Sequence, residues 1–222
     1  MAMTTNEIDC LLRRILAPNS TLYSHPTSEF IGVFPAEKIP LPYLNENHPS
    51  FPHSSLIFSS NVNHLQHDNS ICFVLNTDPS TQKGTHWTAC YVTYSPHVAE
   101  PQVEFFDSYG LPPSVYNFNL PSTTISNSIC LQADTSSVCG AYCILFLALR
   151  NSPRTRVFPH HNMLTCSLES VCKYLQKLSP SCTTRDKQVY TFVNNLNIKF
   201  PCHSSQSSNS HCPYPMSCCS KK

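Results

Sequence analysis

The 222-residue chain has room for one medium domain, or one domain with a tail, and its 41% hydrophobic content is enough for a real core. With 12% charged residues and a formal net charge of +1, it lacks the basic surface of a dedicated nucleic-acid binder, and no apolar stretch approaches the length of a membrane span. Thirteen cysteines would suit a disulfide scaffold in a short secreted chain, but the polar start Met1-Ala2-Met3-Thr4-Thr5-Asn6-Glu7 has neither region of a signal peptide, so the expectation is an intracellular, non-secreted protein with mostly free thiols.

In chain order, Thr4 and Glu7 have the spacing of a capping box. Ile8, Leu11, Leu12 and Ile15 follow at helical spacing until Pro18, which predicts an amphipathic helix over about 5–16. Residues 17–69 are dense in Pro, Ser, Asn and His, broken by short apolar runs such as Ile31-Gly32-Val33-Phe34. They read as loop-rich, with one short helix near 36–39 and little regular sheet. Ile71–Asn76, Trp87–Tyr94 and Val103–Asp107 are short, β-branched or aromatic, and bounded by turn residues, which predicts a small central sheet that Ile129–Leu131 extends. The pattern then turns helical at 139–149, about 163–178 and about 185–197, with Pro153 and Pro180 between. The fold class is α+β, a small mixed central sheet flanked by helices, with one domain over 1–200. The Ser/Cys/His-rich tail 201–222 has no apolar period and is expected to be disordered.

Four residues at the boundaries of these elements carry chemistry. Cys139 opens an apolar helix, where the dipole and unpaired N–H groups favour a thiolate and the cysteine's own N–H can join an oxyanion hole, and Gly140 permits close backbone approach. His86 stands at the start of a strand after the turn-like 78–85. Asp107 ends another strand before the turn Ser108-Tyr109-Gly110. Gln132 lies seven residues before the cysteine, across a polar loop. Each has a plain alternative taken singly: a structural cysteine, a surface histidine, a turn aspartate, a solvated glutamine. Together they are the thiol, imidazole, carboxylate and amide of a cysteine-dependent acyl-transfer site.

Gly84-Thr85-His86-Trp87, Phe105-Phe106-Asp107-Ser108-Tyr109-Gly110, Gln132 and Ser137-Val138-Cys139-Gly140-Ala141-Tyr142-Cys143 resemble the adenovirus-type cysteine endopeptidases and their relatives, the SUMO-specific proteases. The seven-residue Gln-to-Cys spacing is similar to the adenovirus type. Residues 32–40, Val74-Leu75-Asn76-Thr77-Asp78 and the loop before His86 look like the versions carried by Polinton/Maverick elements. The resemblance covers about residues 5–197. It implies a fold related to permuted papain, with Cys139 as nucleophile, His86 as general base, Asp107 orienting it and Gln132 completing the oxyanion hole. Asp107 departs from the Glu of the mammalian adenovirus enzyme and matches the SUMO proteases. No counterpart is evident of the cysteine that pairs with the adenoviral peptide cofactor, so no cofactor is expected.

The implied partner is a polypeptide, capsid-like structural proteins first. A DNA or peptide activator has no support in the sequence, no membrane partner is expected, and the protein should be a monomer in the nucleus or a virion-like particle. Two alternatives stay open: a protease of SUMO or another ubiquitin-like modifier, and an inactive, co-opted binding module. In the tail, Cys202, His203, His211, Cys212, Cys218 and Cys219 would be enough ligands for one zinc, but they lack the CxxC spacing, and no metal site is assigned.

Overall fold

The computed structural model describes residues 2–17, 28–40, 69–82, 84–94, 101–151 and 167–199. The first helix, α1 (Thr5–Ile15), forms where the spacing places it. The Thr4 hydroxyl accepts the Glu7 N–H at 3.3 Å and the Glu7 carboxylate accepts the Thr4 N–H at 2.7 Å, a reciprocal cap that contributes about 1 kcal/mol. Ile8, Leu11, Leu12 and Ile15 are fully buried along one face.

Five strands follow: β1 (Glu29–Phe34), β2 (Asn69–Asn76), β3 (Trp87–Tyr94), β4 (Gln102–Phe106) and β5 (Ile125–Ser126). They lie in the order β1-β2-β3-β4-β5, with β1–β2 and β4–β5 parallel and the two central pairings antiparallel. The sheet is therefore mixed, and the fold is α+β as expected. Two expectations are corrected. The run Ile31-Gly32-Val33-Phe34, read as a break in a loop, belongs to an edge strand. Gly32, at φ +140°, sits where the register slips between Phe30 and Gly32, and that irregularity hides the strand's alternation. Ile129–Leu131 is not a strand. The fifth strand is Ile125–Ser126, too short to carry a period, and Leu131 instead donates its N–H to the Ser108 carbonyl at 2.8 Å. The short helix expected near 36–39 is a single 3-10 turn at Ala36–Lys38.

Side chains alternate across the pleat. Ile71, Phe73, Leu75, Cys90, Val92, Val103 and Phe105 face one way, under Phe118 and Tyr116 of the β4–β5 connection. Cys72, Val74, Trp87, Ala89, Tyr91 and Phe106 face the helices. At the centre of that layer is α2 (Cys139–Arg150), buried at every residue from Cys139 to Leu149, with the Phe106 and Phe146 rings stacked at 4.5 Å. A helix apolar all round must be enclosed. Around it pack α1, α3 (Leu168–Leu178) and α4 (Cys182–Lys199). Arg150 ends α2 by pairing with Glu104 at 2.7 Å and lying 4.1 Å over the Tyr91 ring. Asn151 caps it and is bonded by the Ser28 hydroxyl, which fastens the start of β1 to the helix end.

Ser167 caps α3, so that helix begins later than the expected 163, and residues 163–166 lie outside the described ones. Helix α4 extends past both expected ends, and at its start the Ser181 hydroxyl accepts the Thr184 N–H at 3.4 Å. The tail 201–222, with its six Cys and His residues, lies outside the described residues. Cys72, Cys90, Cys130, Cys139, Cys143, Cys172 and Cys182 are free thiols, as expected of most, while Cys10 is disulfide-bonded.

Candidate active site

The antiparallel pairing of β3 and β4 brings the start of one strand to the end of the other, and this places His86 and Asp107 together. The His86 Nε2 is 2.7 Å from Asp107 Oδ1, and both side chains are buried. His86 is fixed from behind by the β2–β3 connection. Its carbonyl accepts the Thr77 N–H at 3.0 Å, and the Asp78 carboxylate accepts both the N–H and the hydroxyl of Thr85, at 2.7 and 2.6 Å. A Cβ on Gly84 would fall 1.8 Å from the Asn76 amide, so a larger residue there would displace that side chain, whose Oδ1 accepts the Asp78 N–H at 2.9 Å.

Asp107 is held by more donors than the sequence reveals. Its Oδ1 also accepts the Tyr109 N–H at 3.0 Å, and its Oδ2 accepts the Leu111 N–H at 3.1 Å and the Tyr116 hydroxyl at 2.8 Å. The Asn127 amide bonds its backbone twice, taking the Asp107 N–H at 2.9 Å and donating to its carbonyl at 2.7 Å. Four donors satisfy a carboxylate that burial would otherwise make costly. The turn closes on Gly110 at φ +74°, where a Cβ would meet the Ile129 carbonyl carbon at 2.8 Å. The Tyr109 ring stacks on the imidazole at 4.8 Å and the Tyr116 ring lies 5.8 Å away.

Cys139 is the first residue of α2, and the first hydrogen bond of that helix runs from the Tyr142 N–H to the Val138 carbonyl at 3.1 Å. The N–H groups of Cys139, Gly140 and Ala141 therefore precede the ladder and point out of the helix start. Helix α1 packs on this point: a Cβ at Gly140 would come within 2.8 Å of Ile8 Cδ1, and Trp87 donates from Nε1 to the Met3 carbonyl at 3.3 Å. Cys139 lies close enough to the His86 imidazole to raise its proton affinity, and because Asp107 occupies Nε2, Nδ1 is the nitrogen left for the sulfur. Burial alone would lower the imidazole's proton affinity. The hydrogen bond to Asp107, then the neighbouring Cys139 side chain and the charges of both, outweigh it and hold His86 up at about 9, against an ordinary 6.5.

Gln132 is buried beside Tyr109. Its Oε1 accepts the Ser108 hydroxyl at 2.7 Å, and its Nε2 donates to the Tyr109 hydroxyl at 3.1 Å and to the Ser136 carbonyl at 2.8 Å. Both amide hydrogens thus have an acceptor. An oxyanion would take over the hydrogen now given to Tyr109, a favourable exchange because a charged acceptor binds more strongly than a neutral hydroxyl. The main chain on either side is gripped by α4. Buried Arg185 donates to the Leu131 carbonyl at 2.6 Å, and buried Asp186 accepts the Ala133 N–H at 3.1 Å and the Tyr142 hydroxyl at 2.9 Å.

The fold thus brings His86 and Asp107 into direct contact and Cys139 near enough to influence the imidazole, and Gln132 reaches the pair through Tyr109. Sequence reasoning missed Ser108, Tyr109, Tyr116, Asn127, Arg185 and Asp186. Only Ser108-Tyr109-Gly110 carried a signal, as a turn following Asp107.

No family model matches the chain, and no curated protein matches it. Among solved structures it is similar to a de-sumoylating protease, with TM-score 0.43 and 12% identity over 90% of this chain and 82% of that one. It is also similar to the ASFV pS273R protease: in its selenomethionine form with TM-score 0.26 and 24% identity over 47% of this chain and 42% of that one, and in another structure with TM-score 0.36 and 17% identity over 77% and 64%. The chain spans less than two thirds of the length of both ASFV protease chains.

Proposed function

We propose that the protein is a cysteine endopeptidase that hydrolyses peptide bonds through Cys139, His86, Asp107 and Gln132. The observation that carries this reading is the buried imidazole with Asp107 Oδ1 on one nitrogen at 2.7 Å and Cys139, at the open end of a helix, near enough to raise the ring's proton affinity.

The chemistry follows from those contacts. The Cys139 sulfur, its proton having passed to His86, adds to the scissile carbonyl, whose oxygen becomes an oxyanion held by the Cys139 N–H and the Gln132 Nε2–H. With His86 held up at about 9 the imidazole carries its proton at neutral pH. It passes that proton to the leaving amine as the C–N bond breaks, which leaves a thioester on Cys139 and a neutral imidazole. His86 then takes a proton from water as the water adds to the thioester, and collapse expels the sulfur and releases the carboxylic acid. Asp107 keeps the Nε2–H hydrogen-bonded throughout, which presents Nδ1 to the reacting atoms. No metal or cofactor enters these steps.

The motif resemblance supports cleavage after glycine in an extended segment of a virion-like structural protein, by a monomer acting in the nucleus or a virion-like particle. Near-neutral charge gives no electrostatic reason for acidic or basic selection. Two measurements test the reading. Burial pushes the Cys72 and Cys172 thiols up to about 12 and raises those of Cys90 and Cys143, so an electrophilic thiol probe at neutral pH should label Cys139 far ahead of these four. Peptides and capsid-like proteins with Gly before the cut should be hydrolysed by the wild type and not by Cys139→Ala. Full activity of Cys139→Ala would end the assignment. Cleavage confined to folded modifier conjugates would move the enzyme to the ubiquitin-like modifier proteases, and absence of any turnover would leave a binding module.

A further inference from the structure

Ser108 touches neither the imidazole nor the sulfur in any contact described above, yet it holds Gln132 in three ways. Its hydroxyl donates to Gln132 Oε1 at 2.7 Å, and its carbonyl accepts two consecutive backbone N–H groups, Leu131 at 2.8 Å and Gln132 at 3.0 Å. Ser108 is itself fully buried and directly follows Asp107, whose own side chain and backbone are fixed by the turn around it. One end of the Gln132 amide is therefore anchored to the base half of the site, while the other end donates to the Tyr109 hydroxyl and the Ser136 carbonyl. The Ser136 carbonyl can only accept, so it fixes which end of the amide carries the hydrogens. The Ser108 hydroxyl then sets where that end points.

We propose that Ser108 is a positioning residue that orients the Gln132 amide for the oxyanion and ties it to the strand end that carries Asp107. This rests on the peptidase reading for its kinetic consequence, though not for the hydrogen bond itself. Without the hydroxyl, Oε1 is buried with no donor, and only the Nε2 bonds to Tyr109 and Ser136 still restrain the amide about its last torsion. The Tyr109 hydroxyl has a different part: it receives the hydrogen that a substrate oxyanion would take.

The test uses the full chain with an acyl-Gly-Gly-aminocoumarin substrate. Ser108→Ala should lower kcat by about 2- to 10-fold, the net worth of one hydrogen bond, with KM unchanged. The same substitution in a Gln132→Ala background should have no further effect on kcat, whereas a merely structural loss would add. Alkylation of Cys139 by iodoacetamide, which forms no oxyanion, should proceed at the wild-type rate in Ser108→Ala. Independently of turnover, the Gln132 side-chain amide protons should exchange faster by NMR in Ser108→Ala. Additive losses with Gln132→Ala, slower alkylation, or unchanged amide exchange would each overturn the proposal. A wild type that labels at Cys139 yet turns over nothing would sink the peptidase reading alone, and amide exchange would still decide the role of Ser108.

Discussion

His86 and Asp107 stand at the paired ends of two antiparallel strands, and almost everything that orients them lies between residues 77 and 127: the Thr77, Asp78 and Thr85 bonds, the turn at 107–111, Tyr116 and Asn127. Cys139 and Gln132 depend on parts of the chain far away in sequence. Helix α1 packs on Gly140, and Arg185 and Asp186 of α4 hold the backbone on both sides of Gln132. The first pair is thus fixed by local hydrogen bonds at the ends of two interior strands, the second by long-range packing of helices. A substitution in the first half should change rate while the fold survives. One in the supports of the second should cost stability as well, since it removes contacts between elements that the sheet does not otherwise join.

The largest effect that sharpens this contrast is expected from Asp107→Asn. Oδ1 accepts from His86 and the Tyr109 N–H, and Oδ2 accepts from the Leu111 N–H and the Tyr116 hydroxyl. An asparagine places its NH₂ against a fixed backbone N–H in either orientation, so it cannot reproduce the set. With the NH₂ toward His86 it also favours the wrong imidazole tautomer. The kcat should fall on the order of 10³–10⁴-fold while circular dichroism stays native. Loss of less than tenfold would show that the base half does not depend on this carboxylate.

A pH profile separates the halves next. His86 is held up at about 9, so kcat/KM should fall about tenfold per pH unit above that point, as the proton needed by the leaving amine is lost. The same shift has a consequence for stability. A histidine whose folded value exceeds its ordinary 6.5 binds its proton more tightly when folded, so its contribution is full below about 6.5 and disappears as pH rises through about 9. The Tm advantage of the wild type over Asp107→Asn should shrink across that window. An advantage that grew with pH would contradict the geometry.

Legibility in the sequence follows the same division. The strands β2, β3 and β4 are short β-branched or aromatic runs bounded by turn residues, so their ends, and with them His86 and Asp107, could be placed from residues alone. Cys139 could be placed because the apolar run after it is too long and uniform for a loop. The edge strand β1 escaped because Gly32 breaks its register, and β5 because two residues carry no period. Arg185 and Asp186 are two charges near the start of a helix, and nothing local says that both are buried against residues 131 and 133. Contacts made by backbone carbonyls and N–H groups leave no trace in side-chain pattern. That is why the support of Gln132 was invisible while Gln132 itself was not.

The smallest of these effects is the finest probe of the local half. Tyr116 comes from the 3-10 turn Pro113–Tyr116, donates its hydroxyl to Asp107 Oδ2 at 2.8 Å and keeps its ring near those of His86 and Phe118, at 5.8 and 5.7 Å. Burial first, and then the bond to Asp107, raise the phenol's proton affinity, so it remains a donor across the working range. Tyr116→Phe removes the hydroxyl and leaves the ring contacts, and Oδ2 keeps the Leu111 N–H. The loss is one hydrogen bond to a charged group, about 1.5–3 kcal/mol at most, and less here because the half-buried site admits water to the vacated position. The kcat should drop by about 3- to 10-fold, well short of Asp107→Asn, with the alkaline limb near 9 retained because Asp107 still faces His86. A loss as large as that of Asp107→Asn would mean that the tyrosine hydroxyl, and not the cradle as a whole, holds the carboxylate. No loss at all would mean that the two backbone N–H groups suffice, and the orienting power of this half would then reside in the turn 107–111 alone.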